Sequence, residues 1–132
     1  MIKKLILITL VSLNIFSNTL KDAIVFYNKK DFIEARKLFE EALNKEDSLQ
    51  ANYFLGKMYL FGQGIKKDPK IALKYIKKAA ERGNLKAKCL EAKALFLIDR
   101  KKNETKILEI LKIPELKNLV ECKNIKINKD KK

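Results

Sequence analysis

Apolar residues recur at three- and four-residue intervals along most of the chain beyond residue 20. The stretch 31–43 places its apolar residues on one face of a helix: Phe32, Ala35, Leu38, Phe39 and Ala42. The same spacing predicts helices at about 20–28, 31–45, 48–61, 69–82, 85–99 and 104–112, with a seventh at 115–126. Pro114 separates the last two helices because proline cannot continue a helix from its interior. The pattern predicts an all-α fold.

The helical pattern is internally repeated. Segment 68–80 matches segment 31–43 at a spacing of 37 residues: Asp31 with Asp68, Ala35 with Ala72, Leu38 with Tyr75, Phe39 with Ile76, and Ala42 with Ala79. A third copy lies 36 residues after the second and pairs Ala87, Ala92, Leu95 and Phe96 with Ala51, Gly56, Tyr59 and Leu60. Self-similarity at this period indicates a short solenoid of stacked helical hairpins.

Local signals at the helix ends agree with these boundaries. Asp68 followed by Pro69 is an N-cap with proline at the first helical position, where a missing N–H costs nothing. Ser48 can cap the helix that follows it, and Gly83 ends the helix before it.

The first residues have the features of a secretory signal. Lys3 and Lys4 precede an uncharged, mostly apolar run at 5–16. As a helix this run would span about 18 Å, against roughly 30 Å of hydrocarbon. We therefore expect residues 1–19 to be a cleaved signal peptide and the protein to be periplasmic or secreted. An uncleaved membrane tether and an ordinary buried helix are the alternatives.

The protein has two cysteines, Cys89 and Cys122, and no histidine. An oxidising compartment would allow the cysteines to form a disulfide. Two buried free thiols are the second interpretation, and a metal or catalytic role is a third. A zinc site would need carboxylates for its other ligands, which is uncommon for structural zinc. We expect no metal and no cofactor.

The net charge is +14, and part of it is concentrated around the second hairpin. The lysines there are Lys66, Lys67, Lys70, Lys74, Lys77 and Lys78, and the segment 127–132 forms a basic tail. A solvated helix face is the plain interpretation, and a patch for an anionic partner or a membrane surface is the alternative. Nucleic acid is not expected, because lysine greatly outnumbers arginine and Phe32, Phe39 and Tyr75 fit core positions.

The loop after the third helix contains two of the four glycines, Gly62 and Gly64, followed by lysines. A phosphate-binding loop would need a serine or threonine for the metal, and here Asp68 would face the phosphate. We therefore interpret the glycines as residues of a long turn. Ser48 lacks the S-x-x-K spacing of serine β-lactamases, and without histidine no catalytic triad can be assembled.

The middle of the chain resembles the Sel-one-like variant of the tetratricopeptide repeat. The matching residues are Ala51, Leu55, Gly56, Tyr59, Gly62, Gly64, Asp68, Ala72, Ala79, Ala80 and Gly83. In this scheme residues 20–47 are a tetratricopeptide-like repeat and residues 48–83 a Sel-one-like repeat. Residues 84–126 are a degenerate repeat with a helical cap.

The resemblance implies a right-handed α-α superhelix whose concave face binds an unidentified protein or peptide. The first helix of each hairpin would line that face, and there we expect partner contacts from Asn52, Tyr53, Lys57, Lys88 and Glu91. The implied function is a non-enzymatic exported scaffold. A cysteine-rich branch of the family is associated with penicillin binding and β-lactamase activity, which is the alternative. This chain lacks the paired cysteines that each repeat of that branch carries.

Overall fold

The computed structural model describes residues 19–123 and residue 125. The expected signal peptide, apart from its last residue, and the basic tail at 127–132 lie outside the described residues. The described part of the chain is helical and contains no strand. Its elements are α1 (Thr19–Asn28), α2 (Phe32–Glu46), α3 (Leu49–Phe61), α4 (Pro69–Glu81), α5 (Leu85–Leu111), a 3-10 helix (Pro114–Leu116) and α6 (Val120–Lys123).

Helices α1 to α4 confirm the predicted helices to within one residue at each end. They form two hairpins, because α1 packs against α2 and α3 packs against α4. Helix α3 also packs against α2, and α4 packs against α5, so each hairpin contacts its neighbour in sequence. This is the arrangement of a short all-α solenoid of stacked hairpins.

Helix α5 bends back on itself at Asp99, whose backbone is extended (φ −163°, ψ 99°). Lys106 Nζ lies 3.7 Å from Glu91 Oε1, although residues this far apart on a straight helix would be separated by about 22 Å. The two limbs, 85–98 and 100–111, therefore form a third antiparallel hairpin. The predicted break between two helices is confirmed, but it is a kink at one residue instead of a loop at 100–103.

The predicted helix at 115–126 is wrong. The chain instead forms the 3-10 helix, a turn at Lys117 and Asn118, and the four-residue α6. Backbone bonds between residues three apart, from Leu119 N to Leu116 O and from Cys122 N to Leu119 O (both 3.1 Å), hold this path. The buried Leu116 anchors the segment on the third hairpin.

An aspartate caps the second helix of every hairpin. Asp68 Oδ1 accepts from the backbone N–H groups of Lys70 (2.9 Å) and Ile71 (3.0 Å). Asp31 and Asp99 make one such bond each. The first helices of the second and third hairpins are capped by Ser48 and Asn84, which lie 36 residues apart. The caps thus repeat with the hairpins and satisfy N–H groups that a helix start leaves unpaired.

The core consists of three clusters that follow the hairpins along the chain. The first cluster contains Ala23, Ala35, Phe39, Ala42, Ala51, Leu55 and Met58. The second contains Tyr53, Leu60, Ala72, Ile76, Ala79, Ala80, Ala87, Leu90 and Ala94. The third contains Cys89, Ala92, Leu95, Ile107, Ile110 and Leu116. Helix α3 contributes to the first two clusters and α5 to the last two, so these helices join the hairpins.

Helices α3 and α4 meet without an intervening side chain at Gly56. A Cβ atom at Gly56 would lie 2.5 Å from Ile76 Cγ1, 3.1 Å from Ile76 N and 3.3 Å from Ala72 O. Since two of these three atoms belong to the backbone of α4, no side-chain movement could make full room. The glycine in the predicted repeat pattern is therefore required by helix packing.

The glycine-rich loop is a turn that lies against the preceding hairpin. Gly62 ends α3 with φ +69°, and Asp68 N donates to Tyr59 O at 2.9 Å, which closes the loop. Gly64 has φ +65°, and a Cβ there would lie 2.7 Å from Phe32 Cβ and 2.9 Å from the Phe32 carbonyl carbon. The loop backbone thus packs directly on the start of α2.

Replacing Gly64 by alanine is expected to destabilise the protein by about 3 kcal/mol, through left-handed backbone strain and overlap with Phe32. Gly83→Ala is the matched control, because Gly83 has φ +92° but no atom within 4 Å of an added Cβ. It should cost only about 1 kcal/mol. Urea unfolding of both variants measures the difference, and equal losses would contradict the packing of this loop on α2.

Candidate partner-binding site

The surface predicted to bind a partner is formed by α3 and by the first limb of α5. Three of the five residues predicted to contact a partner are buried: Asn52 is fully covered, Tyr53 is 8% exposed and Glu91 is 3% exposed. Lys57 and Lys88 are half-exposed. As the chain is folded, Asn52, Tyr53 and Glu91 are therefore not available to a partner, and this part of the prediction is corrected.

Tyr53 is buried in the second cluster, and its hydroxyl reaches α6. Its hydroxyl donates to Glu121 Oε1 at 3.5 Å, and its ring contacts the ring of Phe54 edge to face at 5.2 Å. Burial raises the pKa of the Tyr53 hydroxyl, and the nearby charge of Glu121 raises it further. Tyr53 therefore stays protonated and serves as a hydrogen-bond donor to the segment that covers it.

Asn52 faces inward beside Tyr53. Its Nδ2 donates to the carbonyl oxygen of Ser48 at 3.1 Å, one turn earlier in α3. Its Oδ1 is buried and has no hydrogen-bond partner among residues 19–123 and 125. The Asn52 side chain therefore stabilises α3 through the hydrogen bond of its Nδ2 atom alone.

Glu91 lies between two lysines that neutralise it. Its Oε2 is 2.9 Å from Lys88 Nζ, and its Oε1 is 3.7 Å from Lys106 Nζ on the returning limb of α5. A buried carboxylate needs such partners, because an unpaired charge out of water is costly. Glu91 thus links the two limbs of the third hairpin through its ion pair with Lys106. Its second ion pair engages Lys88 on its own limb.

The structure joins Cys89 and Cys122 in a disulfide, with Cα atoms 5.0 Å apart. Of the alternatives open from the sequence, the bridged form is the one observed. Cys89 is fully buried in the third cluster, while Cys122 lies half-buried in α6. The bridge attaches α6 to α5, with residues 120–121 next to α3.

A groove lies between α3, α5 and α6. Its volume is about 290 Å³, and it is lined by Lys57, Phe61, Leu90, Lys93, Val120 and Glu121. Lys93 Nζ lies 4.7 Å from the centre of the Phe61 ring, and Lys57 Nζ lies 5.5 Å from the centre of the Tyr27 ring. Both ammonium groups are thus held above aromatic faces, an attractive arrangement for a cation. The groove combines an apolar floor with two positive charges on α3 and α5 and one carboxylate on α6.

Sequence reasoning missed Phe61, Leu90 and Lys93, although one signal for them was present. Lys93 lies 36 residues after Lys57, which is the spacing between the second and third repeats, and Phe61 follows Lys57 by one helical turn. Applying the repeat spacing to Lys57 would have placed both lysines on one side of the stack. The neighbouring Val120 and Glu121 could not be found this way, since they lie outside the repeats.

The lysines of the second hairpin form a separate surface on α4 and the loop before it. Lys77 is half-buried, and Lys66, Lys67, Lys70, Lys74 and Lys78 are exposed. A shallow cavity of about 470 Å³ there is lined by Tyr59, Ile71, Lys74, Tyr75 and Lys78. Tyr75, expected in the core, is half-buried: it packs against the first cluster and stacks on Tyr59, with ring centres 5.7 Å apart. This surface is basic and partly aromatic.

The residues considered for catalysis have structural roles. Ser48 Oγ accepts from the backbone N–H of Ala51 at 3.2 Å as a helix cap. The sulfur of Cys89 is bonded to that of Cys122. Within residues 19–123 and 125, no group of three or more His, Cys, Asp or Glu side chains could hold a metal ion. No helix in the same part of the chain is long and apolar enough to cross a membrane.

Comparison with known families matches two stretches of the chain, residues 29–47 and 49–84, to the Sel1 repeat. The matches cover α2, α3 and α4 and the glycine-rich loop. Together with the stacked hairpins, they support Sel1-like repeats over the part of the chain that contains α2, α3 and α4. No solved structure matches the chain. Sel1 repeats generally mediate protein–protein interaction and are typically non-catalytic scaffolds.

We expect the two lysines beside Glu91 to be energetically coupled. Lys88→Met or Lys106→Met alone should cost less than about 1 kcal/mol, because the other lysine still pairs with the carboxylate. Both together should cost about 3 kcal/mol, since a buried charge is then left unpaired.

Urea unfolding of the single and double variants tests this coupling. A second set in a Glu91→Gln background is the control, and there the coupling should disappear. Additive losses in the original background would contradict the role assigned to Glu91.

Proposed function

We propose that this protein is a non-catalytic adaptor that acts outside the cytoplasm and binds a protein or peptide through the groove between α3 and α5. The observation that supports this most directly is the pairing of exposed Phe61 with Lys57 and Lys93 on the helices that begin successive hairpins. An apolar side chain and two cations at the stack surface suit a partner segment that is both apolar and anionic.

Two features support export. Positive charge followed by a short apolar run is typical of a signal peptide. The disulfide between Cys89 and Cys122 is typical of an oxidising compartment. We therefore propose a periplasmic or secreted location, with a membrane tether at the N-terminus as the alternative. N-terminal sequencing of the protein from its native cell separates the two, since cleavage would remove residues 1–19 or nearly so.

The non-catalytic assignment is supported by the roles of Ser48 and Cys89. One caps a helix and the other is bridged and fully buried, so neither is prepared to act as a nucleophile. The alternative is the penicillin-interacting activity. We expect no turnover of a chromogenic β-lactam by the purified protein; hydrolysis that is lost in Ser48→Ala would overturn the assignment.

A photo-reactive amino acid at Phe61 tests the proposed groove in the native cell. We expect it to cross-link to a protein of one defined mass. The matched control places the same amino acid at Ile33, which is 70% exposed on α2 and away from the groove.

Charge reversal of Lys57 together with Lys93 should weaken the binding free energy of an anionic partner by at least about 1.4 kcal/mol, which is a tenfold loss of affinity. We therefore expect at least about 90% of the Phe61 cross-link to disappear. Equal cross-linking from Ile33 and Phe61, or no effect of charge reversal, would contradict the groove as the binding surface.

A further inference from the structure

The C-terminal segment, defined as residues 119–123, lies on the surface that the proposed function assigns to a partner. Val120 and Glu121 form one wall of the groove whose other walls are α3 and α5. Glu121 accepts from the hydroxyl of Tyr53, which is 8% exposed. The chain therefore places an apolar residue followed by a carboxylate along one wall of its own groove.

Apart from the disulfide, the C-terminal segment is held by few interactions. Val120 is 70% exposed, and the Tyr53–Glu121 bond is long at 3.5 Å. Helix α6 has only four residues, too few to be stable by itself in water. Leu119, Cys122 and Ile125 are partly buried against the third cluster, and the nearest fully buried anchor is Leu116. The covalent bond to Cys89 is thus the strongest constraint on this segment.

Without the C-terminal segment, the groove would change in shape and in charge. Its remaining lining is Lys57, Phe61, Leu90 and Lys93, which supplies two positive charges and no carboxylate. Tyr53 would lose the acceptor for its hydroxyl. The open groove is therefore complementary to an apolar side chain with a carboxylate beside it, which is the chemistry that Val120 and Glu121 now supply.

We propose that the Cys89–Cys122 disulfide holds the C-terminal segment as one wall of this groove, and that its reduction frees the space of Val120 and Glu121 for a peptide with an apolar residue followed by an acidic one. The inference rests on the proposed function for the identity of the binding surface. The reductant is a dithiol: one thiolate attacks Cys122 Sγ, the mixed disulfide is resolved by the second thiol, and both cysteines leave as thiols while the dithiol is oxidised.

The expected effect follows from effective concentration. A tethered segment competes with an added peptide as if it were present at about millimolar concentration. Breaking the bridge leaves the segment attached only by the noncovalent packing of Leu116, Leu119 and Ile125 on the third cluster. The segment can then leave the groove more often, and it competes less with an added peptide. Binding of a competing peptide should then tighten by about tenfold.

The probe is a synthetic peptide of residues 117–123 with Cys122→Ser, labelled with a fluorophore. Its affinity is measured by fluorescence anisotropy against the full chain in the oxidised form, the reduced form and the Cys122→Ser variant. We expect the reduced form and the variant to bind about tenfold more tightly than the oxidised form. A peptide in which Glu121→Lys is also introduced should lose this binding.

A pair of charge reversals locates the peptide. Lys57→Glu with Lys93→Glu in the Cys122→Ser background should abolish peptide binding. Lys74→Glu with Lys78→Glu on α4 changes the net charge by the same amount and should reduce binding far less. Equal loss in both pairs would show that the peptide responds only to net charge, which overturns the proposal.

Two further measurements distinguish release of the C-terminal segment from general unfolding of the reduced protein. Glu121→Lys keeps the disulfide but places a third cation beside Lys57 and Lys93, so it should increase peptide binding in the oxidised form. Hydrogen exchange needs no ligand: reduction should accelerate exchange at 119–123 while leaving α3 protected.

Either of two results would overturn the proposal. One is that hydrogen exchange at 119–123 does not change on reduction. The other is that the oxidised, reduced and Glu121→Lys proteins bind the peptide with equal affinity. Failure of the proposal is distinguishable from failure of the proposed function. If cross-linking from Phe61 succeeds while the oxidised and reduced proteins behave alike, the binding surface stands and the redox control does not.

Discussion

Helix α3 is covered on nearly every side, and the rest of the structure is arranged to cover it. Its buried residues are Ala51, Asn52, Tyr53, Leu55, Gly56, Met58 and Leu60. A helix that is apolar almost all round cannot be stable at a surface, so it needs neighbours on several sides. Helix α2 supplies one and α4 another, while the C-terminal segment covers Tyr53. Each hairpin therefore buries its apolar surface against the next one. For this reason the interfaces between repeats contribute much of the stability of such a stack.

Two close approaches set the geometry of that stack. Gly56 lets the backbone of α4 lie against α3, and Gly64 lets the long loop lie against Phe32 of the preceding hairpin. The first contact is within a hairpin and the second is between hairpins, so together they define how two neighbouring units are placed. Helix α5 then packs against α4 and brings Lys93 to the same groove as Lys57 and Phe61. The groove is thus a consequence of the same packing that builds the core.

The candidate site was predictable only in part. Lys57 could be placed at the surface by helical position, and Lys93 follows from it by the repeat spacing. Tyr53 and Glu91 could not be placed correctly, because what covers them comes from outside the repeat pattern. Glu121 reaches Tyr53 through the bridge of Cys122 to Cys89, and Lys106 reaches Glu91 because α5 turns back at Asp99. Burial of a polar side chain depends on such partners, which are distant along the chain and cannot be inferred from the local spacing of residues.

The amino-acid sequence by itself determined the helices, their caps and their pairing into hairpins. These features depend on contacts within a few residues and on a repeat of 36 to 37 positions, both of which are readable in one dimension. Tertiary structure alone decided the conformation of the last described residues. A predicted helix at 115–126 became a 3-10 turn and a four-residue helix, because a disulfide and the buried Leu116 attach this segment to the third hairpin. Such long-range attachments override the weak helical preference of a short segment.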